Sequence, residues 1–204
     1  MKRLRTLHRY GGIGVALFVL VHLANHLAAL GGIEAHLRFM EEARRVYRQP
    51  IVEIALLLLV ALQAGSGVRL LAAGWKRRRG GIAWMQALSG GYLALFLLIH
   101  VAAVLFGRAV LDLDTNVHFA AAGLQVWPYQ LFFVPYYFLA VLALFTHLGC
   151  ALARRAAMAP HRRLAALAVP MCVGGVLAAV LLAALMGELY PYEVPQAYAA
   201  TYAE

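Results

Sequence analysis

Residues 84–107, WMQALSGGYLALFLLIHVAAVLFG, form an apolar run long enough to cross a bilayer, and one histidine, His100, sits inside it. Runs of roughly 18 or more residues with few charges mark spanning helices, since each residue adds about 1.5 Å of rise. Four more runs qualify, at about 11–31, 51–73, 128–153 and 164–187. The chain has 204 residues, 64% of them apolar and 13% charged, which leaves no room for a soluble domain. The expectation is an all-α integral membrane protein, a single domain over residues 1–204 built as a bundle of five transmembrane helices.

The net charge of +9 sits in the loops rather than on a nucleic-acid face. Lys2, Arg3, Arg5 and Arg9 precede the first run, and Lys76, Arg77, Arg78 and Arg79 follow the second. Arg154, Arg155, Arg162 and Arg163 join the fourth to the fifth. All three clusters fall on one side, which the positive-inside rule makes cytoplasmic. The N-terminus is then inside and the C-terminus outside, in a bacterial-type inner membrane, with basic loops suited to anionic lipid. Asp112, Asp114, Glu188, Glu193 and Glu204 fall on the opposite side. His22, Asn25 and His26 interrupt the first apolar run and no clear cleavage site follows, so it reads as an uncleaved helix.

Between the first two runs, residues 34–47 place Leu37, Met40 and Tyr47 at helical spacing among acids and arginines. This reads as an amphipathic surface helix. Gly11 and Gly12 suit the opening of the first helix, Gly31 and Gly32 its cap, and Pro50 the first turn of the second. The connection from Gly107 to Trp127 is expected to cap the outer face, and Pro170 to kink the fifth helix. Tyr129, Tyr136, Tyr137, Tyr190 and Tyr192 suit an outer aromatic belt, while Cys150 and Cys172 read as free buried thiols.

The histidines carry the chemistry. His22 and His26 lie in the first run, His100 in the third and His147 in the fourth. A charged side chain at that depth costs about 2.5 kcal/mol or more, so each imidazole needs a partner. Because the helices alternate in direction, His100 reaches the level of His22 or His26, and His147 falls at a different level. Two imidazoles on different helices at one depth can supply both axial bonds to a haem iron. Small residues at Gly11, Gly12, Gly14, Gly65, Ser66, Gly67, Ser89, Gly90 and Gly91 allow close approach of a porphyrin. A metal site of His22, His26 and His100 is the alternative, since residues one turn apart share a helix face. His147 alone also fits a plain interhelical hydrogen bond. His8, His36, His118 and His161 lie in polar segments and read as surface groups.

The chain resembles the single-polypeptide cytochrome b membrane subunit of the fumarate reductase and succinate dehydrogenase family. Trp84, Gln86, Ala87, Ser89 and Gly90 follow that family's pattern at the start of the third helix, and His100 stands at the spacing of its haem ligand. Gln49 to Val52 and the Trp127, Pro128 pair also resemble it, so the likeness covers most of the chain. It implies His22 and His100 as axial ligands of one b-type haem, with His26 as the alternative on the first helix. It implies His147 as a ligand of a second haem, with Gln86, Ser89 and Arg69 as cofactor contacts. Arg69 would meet a propionate, or lipid phosphate if no haem lies near. The second haem lacks its helix-two ligand, because Gln63 stands where the family has histidine.

Glu53 is the acid nearest to the family's quinone-linked carboxylate; it reads as a proton acceptor for quinol or as a group reaching for the headgroups. The resemblance further implies a flavoprotein and an iron–sulfur protein as partners on the cytoplasmic side, and membrane lipid around the bundle; a homo-oligomer stays open. The expected role is electron transfer between quinone and those partners within a larger oxidoreductase, without a catalytic residue of the chain's own. The rival readings are a haem-free five-helix scaffold or assembly protein and an intramembrane histidine metal site, the latter also compatible with a small-solute channel.

Overall fold

The computed structural model describes residues 1–154 and 159–202, and no strand occurs among them. Eight α-helices follow in chain order: α1 (Lys2–Ala28), α2 (Ile33–Tyr47), α3 (Pro50–Gly74), α4 (Gly81–Ala109), α5 (Val117–Gln125), α6 (Gln130–Ala153), α7 (Pro160–Leu185) and the short α8 (Gln196–Ala199). Five of them, α1, α3, α4, α6 and α7, are long and apolar enough to cross a membrane. Arg155 and Glu204 lie outside the described residues.

Local chemistry sets the helix ends. Pro50 and Pro160 occupy the first turns of α3 and α7, where a missing N–H is harmless. Gly32 ends the α1 segment with φ of +98° and Gly80 precedes α4 with φ of +80°, a region that side chains other than glycine rarely adopt. Gly11 and Gly12 do not open α1, which starts at Lys2 and runs through them. They serve instead as the surface on which α3 rests: a Cβ on Gly11 would lie 2.9 Å from Gln63 Oε1, and one on Gly14 would lie 2.8 Å from Leu59 Cδ2. Pro135 and Pro170 lie inside α6 and α7, which continue past them.

The long helices pack as a series of neighbours, α1 on α3, α3 on α4, α4 on α6 and α6 on α7. The α6–α7 contact is the tightest, because small residues let the backbones meet. A Cβ on Gly149 would stand 3.2 Å from the carbonyl oxygens of Ala166 and Leu167, and one on Gly174 2.6 Å from Phe145 Cβ. Cys150 is fully buried there, while Cys172 is exposed on the outer side of α7 rather than buried. Large apolar side chains point outward, with Ile51 84%, Leu98 69% and Leu164 66% exposed. Such a surface suits lipid and not water.

One end of the bundle is capped. Val117, Ala121 and Leu124 of α5 are buried against Leu182 and Leu185 of α7, as the expected capping role of this connection requires. Asn116 Oδ1 accepts from the His118 N–H at 2.9 Å and caps α5. Gln125 ties the tail to the bundle, its Nε2 donating to Leu185 O at 2.9 Å and its Oε1 accepting from the Val194 N–H at 3.1 Å. The α2 helix lies over the same end through Arg44 and Asp114, 2.8 Å apart. Burial pushes the Asp114 carboxyl up, but the Arg44 bond and charge outweigh it and hold the group below its usual range. The aromatic belt is only partly realised. Tyr136 is buried, its ring 4.8 Å from Phe96, and Tyr137 lines the interior cavity.

Gly123 sits directly under the Phe133 ring, so a side chain there must displace it. Gly123→Ala is expected to destabilise the protein by about 1–3 kcal/mol. Gly65→Ala, with nothing within 4 Å of the new methyl, should be neutral or stabilising by up to about 1 kcal/mol. Thermal unfolding of both variants in detergent checks the pair, and equal effects would contradict this packing.

Candidate functional site

A cavity of about 1930 Å³ runs between α1, α3, α4 and α6, with Leu181 and Leu185 of α7 along one side. Its basic end is lined by Arg5, Arg9, Arg77, Arg78 and Arg154, and its capped end by Tyr47, Arg48, Glu53, Arg108 and Thr115. Between them the walls are apolar except for His8, Gln63, Gln86, His22, His26, His100 and His147. Ligand pockets commonly measure about 300–1,000 Å³, so this space exceeds the needs of one ordinary ligand.

In the capped half, His22 of α1 and His100 of α4 face each other with ring centres 6.0 Å apart and planes at 70°. Phe96 stacks on His100 at 5.1 Å and 13°, and Phe18 stacks on His22 at 5.9 Å and 19°, so both ring orientations are fixed by packing. An ion bonded to both nitrogens at about 2 Å each would place the ring centres about 6 Å apart. The separation of the two rings matches that spacing. His26, one turn along α1, lies edge-on to His22 at 4.7 Å and faces His36 of α2 at 5.2 Å.

That third histidine does not complete a metal site. Among the described residues, no group of three or more His, Cys, Asp or Glu side chains is placed to hold an ion. His36 is not the surface group its polar surroundings suggested. It is 2% exposed, and neither ring nitrogen has a hydrogen-bond partner among the described residues. Its place one turn before the buried Met40 was the sequence signal for this inward face.

At the capped mouth, Glu53 of α3 makes a two-pronged ion pair with Arg108 of α4, the second contact being 3.5 Å between Nη2 and Oε2. Both line the cavity. The pair is partly exposed, with side-chain exposures of 32% for Arg108 and 27% for Glu53, so the carboxylate has a cation beside it. Arg108 ends an otherwise apolar helix and received no role from the sequence.

In the basic half, His147 of α6 packs over Gly90 of α4, where a Cβ would lie 2.8 Å from its Cε1. Its Nδ1 lies 3.0 Å from the Gln86 carbonyl and 3.4 Å from Ser89 Oγ. The buried Ser89 hydroxyl donates to Met85 O at 2.7 Å, while Gln86 Oε1 accepts from Arg154 at 2.6 Å. Gln86 and Ser89 thus orient His147. Arg69, expected at a propionate or at lipid phosphate, is exposed and does not line the cavity, since its place on α3 turns it outward. His8, also expected at the surface, is turned inward. Its Nδ1 lies 2.9 Å from Ser66 Oγ and its Nε2 3.4 Å from Gln63 Nε2. His8 precedes His22 by 14 residues, nearly four whole turns, and that spacing was the signal for a shared face. His161 is exposed, and His118 meets the Tyr192 hydroxyl at 2.8 Å.

No family model, no curated protein and no solved structure matches this chain.

Burial, followed by the positive fields of His22, Arg44 and His118, pushes the His36 imidazole down to about 4. Between pH 6.5 and 4 the unfolded chain then binds a proton that the folded chain excludes. The stability present above pH 6.5 is lost as the pH falls to about 4, by about 3 kcal/mol. His36→Leu should flatten this acid limb of the thermal-unfolding midpoint; parallel pH curves for the variant and the parent would contradict the burial of a neutral imidazole.

Proposed function

We propose that the chain spans the cytoplasmic membrane five times and carries electrons through a b-type haem held by His22 and His100. The observation that carries this reading is the facing pair itself: two imidazoles from different helices, 6.0 Å between ring centres, each locked by a stacked phenylalanine. Haem bound there supplies one-electron chemistry, its potential set by axial ligand, burial and surrounding hydrogen bonds. The residues of this chain do the rest. His22 and His100 would hold the iron, and the largely apolar walls between α1, α3 and α4 would surround it. Arg48, which lines the same cavity 3.7 Å from Asp114, would offer a donor toward a propionate.

The resemblance to the cytochrome b subunits of fumarate reductase and succinate dehydrogenase supports the same reading, through the Trp84 to Gly90 pattern, His22 and His100. In this reading the basic end faces the cytoplasm, by the positive-inside rule, and receives a flavoprotein and an iron–sulfur protein. The capped end then faces outward. There the Glu53 carboxylate borders the cavity beside Arg108 and would be the acceptor for a proton released by a quinol head group. The chain acts as a subunit, supplying a path for electrons rather than a reacting side chain.

His22→Ala and His100→Ala should each remove the haem of this site, read as loss of its b-type absorption in the reduced-minus-oxidised spectrum, while helix content by circular dichroism is retained. Unchanged haem absorption in both variants would refute the assignment. Glu53→Gln should leave haem content intact and slow haem reduction by quinol about 100-fold, the usual loss when a positioned proton acceptor is removed. Reduction at the parent rate would remove Glu53 from the proton path.

A further inference from the structure

We infer that the basic end of the cavity binds the phosphate of an anionic glycerophospholipid, with Arg78 as its anchor and the apolar walls as the bed for its chains. This inference rests on the membrane-spanning part of the reading above and needs no haem. The His22 and His100 pair takes up the capped half of the cavity, and a volume of about 1930 Å³ leaves the basic half for another occupant.

Arg78 departs from its neighbours. Lys76, Arg77, Arg78 and Arg79 are consecutive cations between α3 and α4; Lys76, Arg77 and Arg79 are exposed, and Arg78 alone is drawn in. Topology accounts for the exposed charges, since cations gather on the cytoplasmic side of such a bundle. It does not account for Arg78. The Arg78 Cζ lies 5.2 Å from the Trp84 ring centre and 5.7 Å from that of Trp75, and the two indoles meet edge to face at 4.9 Å and 88°. Its Nη2 donates to Leu71 O at 3.4 Å, and Gly74 makes room for this fold, since a Cβ there would stand 3.2 Å from Nη2. A guanidinium held on indole faces keeps its in-plane N–H groups for an acceptor. Nη1 is buried with no hydrogen-bond partner among the described residues. A buried donor left unpaired is costly, and an anionic oxygen would remove that cost.

Charge and shape name the ligand class. Lys2, Arg5, Arg9, Arg77 and Arg154 line the same end as Arg78, and Glu53 at the capped end is the sole acid on the cavity wall among the described residues. The ion pairs of the described residues involve Arg38, Arg44, Arg45, Arg48 and Arg108, and none of the arginines at the basic end. An uncompensated cationic mouth favours an anion, and a phosphate offers the paired oxygens that match a guanidinium fork. Beyond the arginines the wall turns apolar, with Leu70, Leu71, Ala87 and Leu148. Such a wall gives nothing to a free phosphate ion and suits acyl chains. Trp75 and Trp84 stand at the end of α3 and the start of α4, where indoles mark headgroup depth. In the reading above this is the cytoplasmic leaflet, whose surface is anionic.

The test uses the full chain, purified in detergent, stripped of lipid and titrated with dioleoylphosphatidylglycerol. Dioleoylphosphatidylcholine serves as the control without net charge, and inorganic phosphate as the control without chains. Native mass spectrometry counts bound lipid, and the thermal-unfolding midpoint is followed in parallel. One tightly held phosphatidylglycerol per chain and a raised midpoint are expected, with weaker binding of phosphatidylcholine. Arg78→Gln should weaken the phosphatidylglycerol by about 10-fold or more, the range for a lost charge-assisted hydrogen bond. Arg79→Gln, which removes the same charge from an exposed neighbour, should bind as the parent does. Gly74→Ala keeps every charge but displaces the guanidinium, so it should also weaken the lipid, and it decides the matter if Arg78→Gln does not fold. Equal affinity in Arg78→Gln and Arg79→Gln, or in Gly74→Ala and the parent, would overturn the inference. So would inorganic phosphate that displaces the lipid and raises the midpoint alone, since the ligand would then be the free ion. Haem content of the same sample separates the two proposals: lipid held by haem-free protein supports this site and refutes the haem, whereas haem without tightly held lipid refutes this site alone.

Discussion

Burying an imidazole among apolar helices is costly unless a partner meets its lone pair or its N–H, and the open interior of this chain follows from where its histidines lie. His22 and His100 have no hydrogen-bonding side chain between them; they have each other across a gap, held flat by Phe18 and Phe96. His147 and His8 instead meet fixed oxygens with one nitrogen, and both side chains line the same cavity. A helix bundle that collapsed to close packing would bury these nitrogens unpaired, at several kcal/mol each in a medium without water. An interior left open between α1, α3, α4 and α6 is the arrangement that avoids this while leaving room for a bound group.

The remaining structure braces that opening. Tight packing of α6 on α7, through Gly149 and Gly174, holds one wall. On the other side, Gly11, Gly12 and Gly14 let α1 approach α3 closely enough to bring His8 to Ser66 and Gln63. The capped end is assembled from α2, α5 and the tail, through Arg44 with Asp114, the Asn116 cap and the two bonds of Gln125. Charge is arranged accordingly: arginines surround the basic end without acids, whereas at the capped end each buried or half-buried arginine meets Glu53 or Asp114.

Much of this was legible in the residues. Hydrophobic length alone located the five long helices to within a few residues, except for α1, whose polar first turns carry no hydrophobic signal but continue the same helix. The amphipathic α2 was readable from its periodicity, and alternating helix direction brought His22 and His100 to one level. Three features escaped. His8 and His36 sit among charged neighbours, so local polarity placed them outside, although their helical register with His22 and Met40 pointed inward. Arg69 pointed outward because register, not proximity in sequence to Gly67, decides which face a residue occupies. The Glu53–Arg108 pair joins residues far apart in the chain, and no spacing rule reaches across two helices.

The central question is whether His22 and His100 bind one iron between them. Low-temperature electron paramagnetic resonance of the oxidised protein reads that most directly, because the signal reports both axial ligands and the angle between their planes. Planes at 70° predict a low-spin bis-imidazole signal of strong anisotropy, absent from His22→Ala and His100→Ala. A high-spin signal, or a low-spin signal untouched by either substitution, would contradict the facing pair as the ligands.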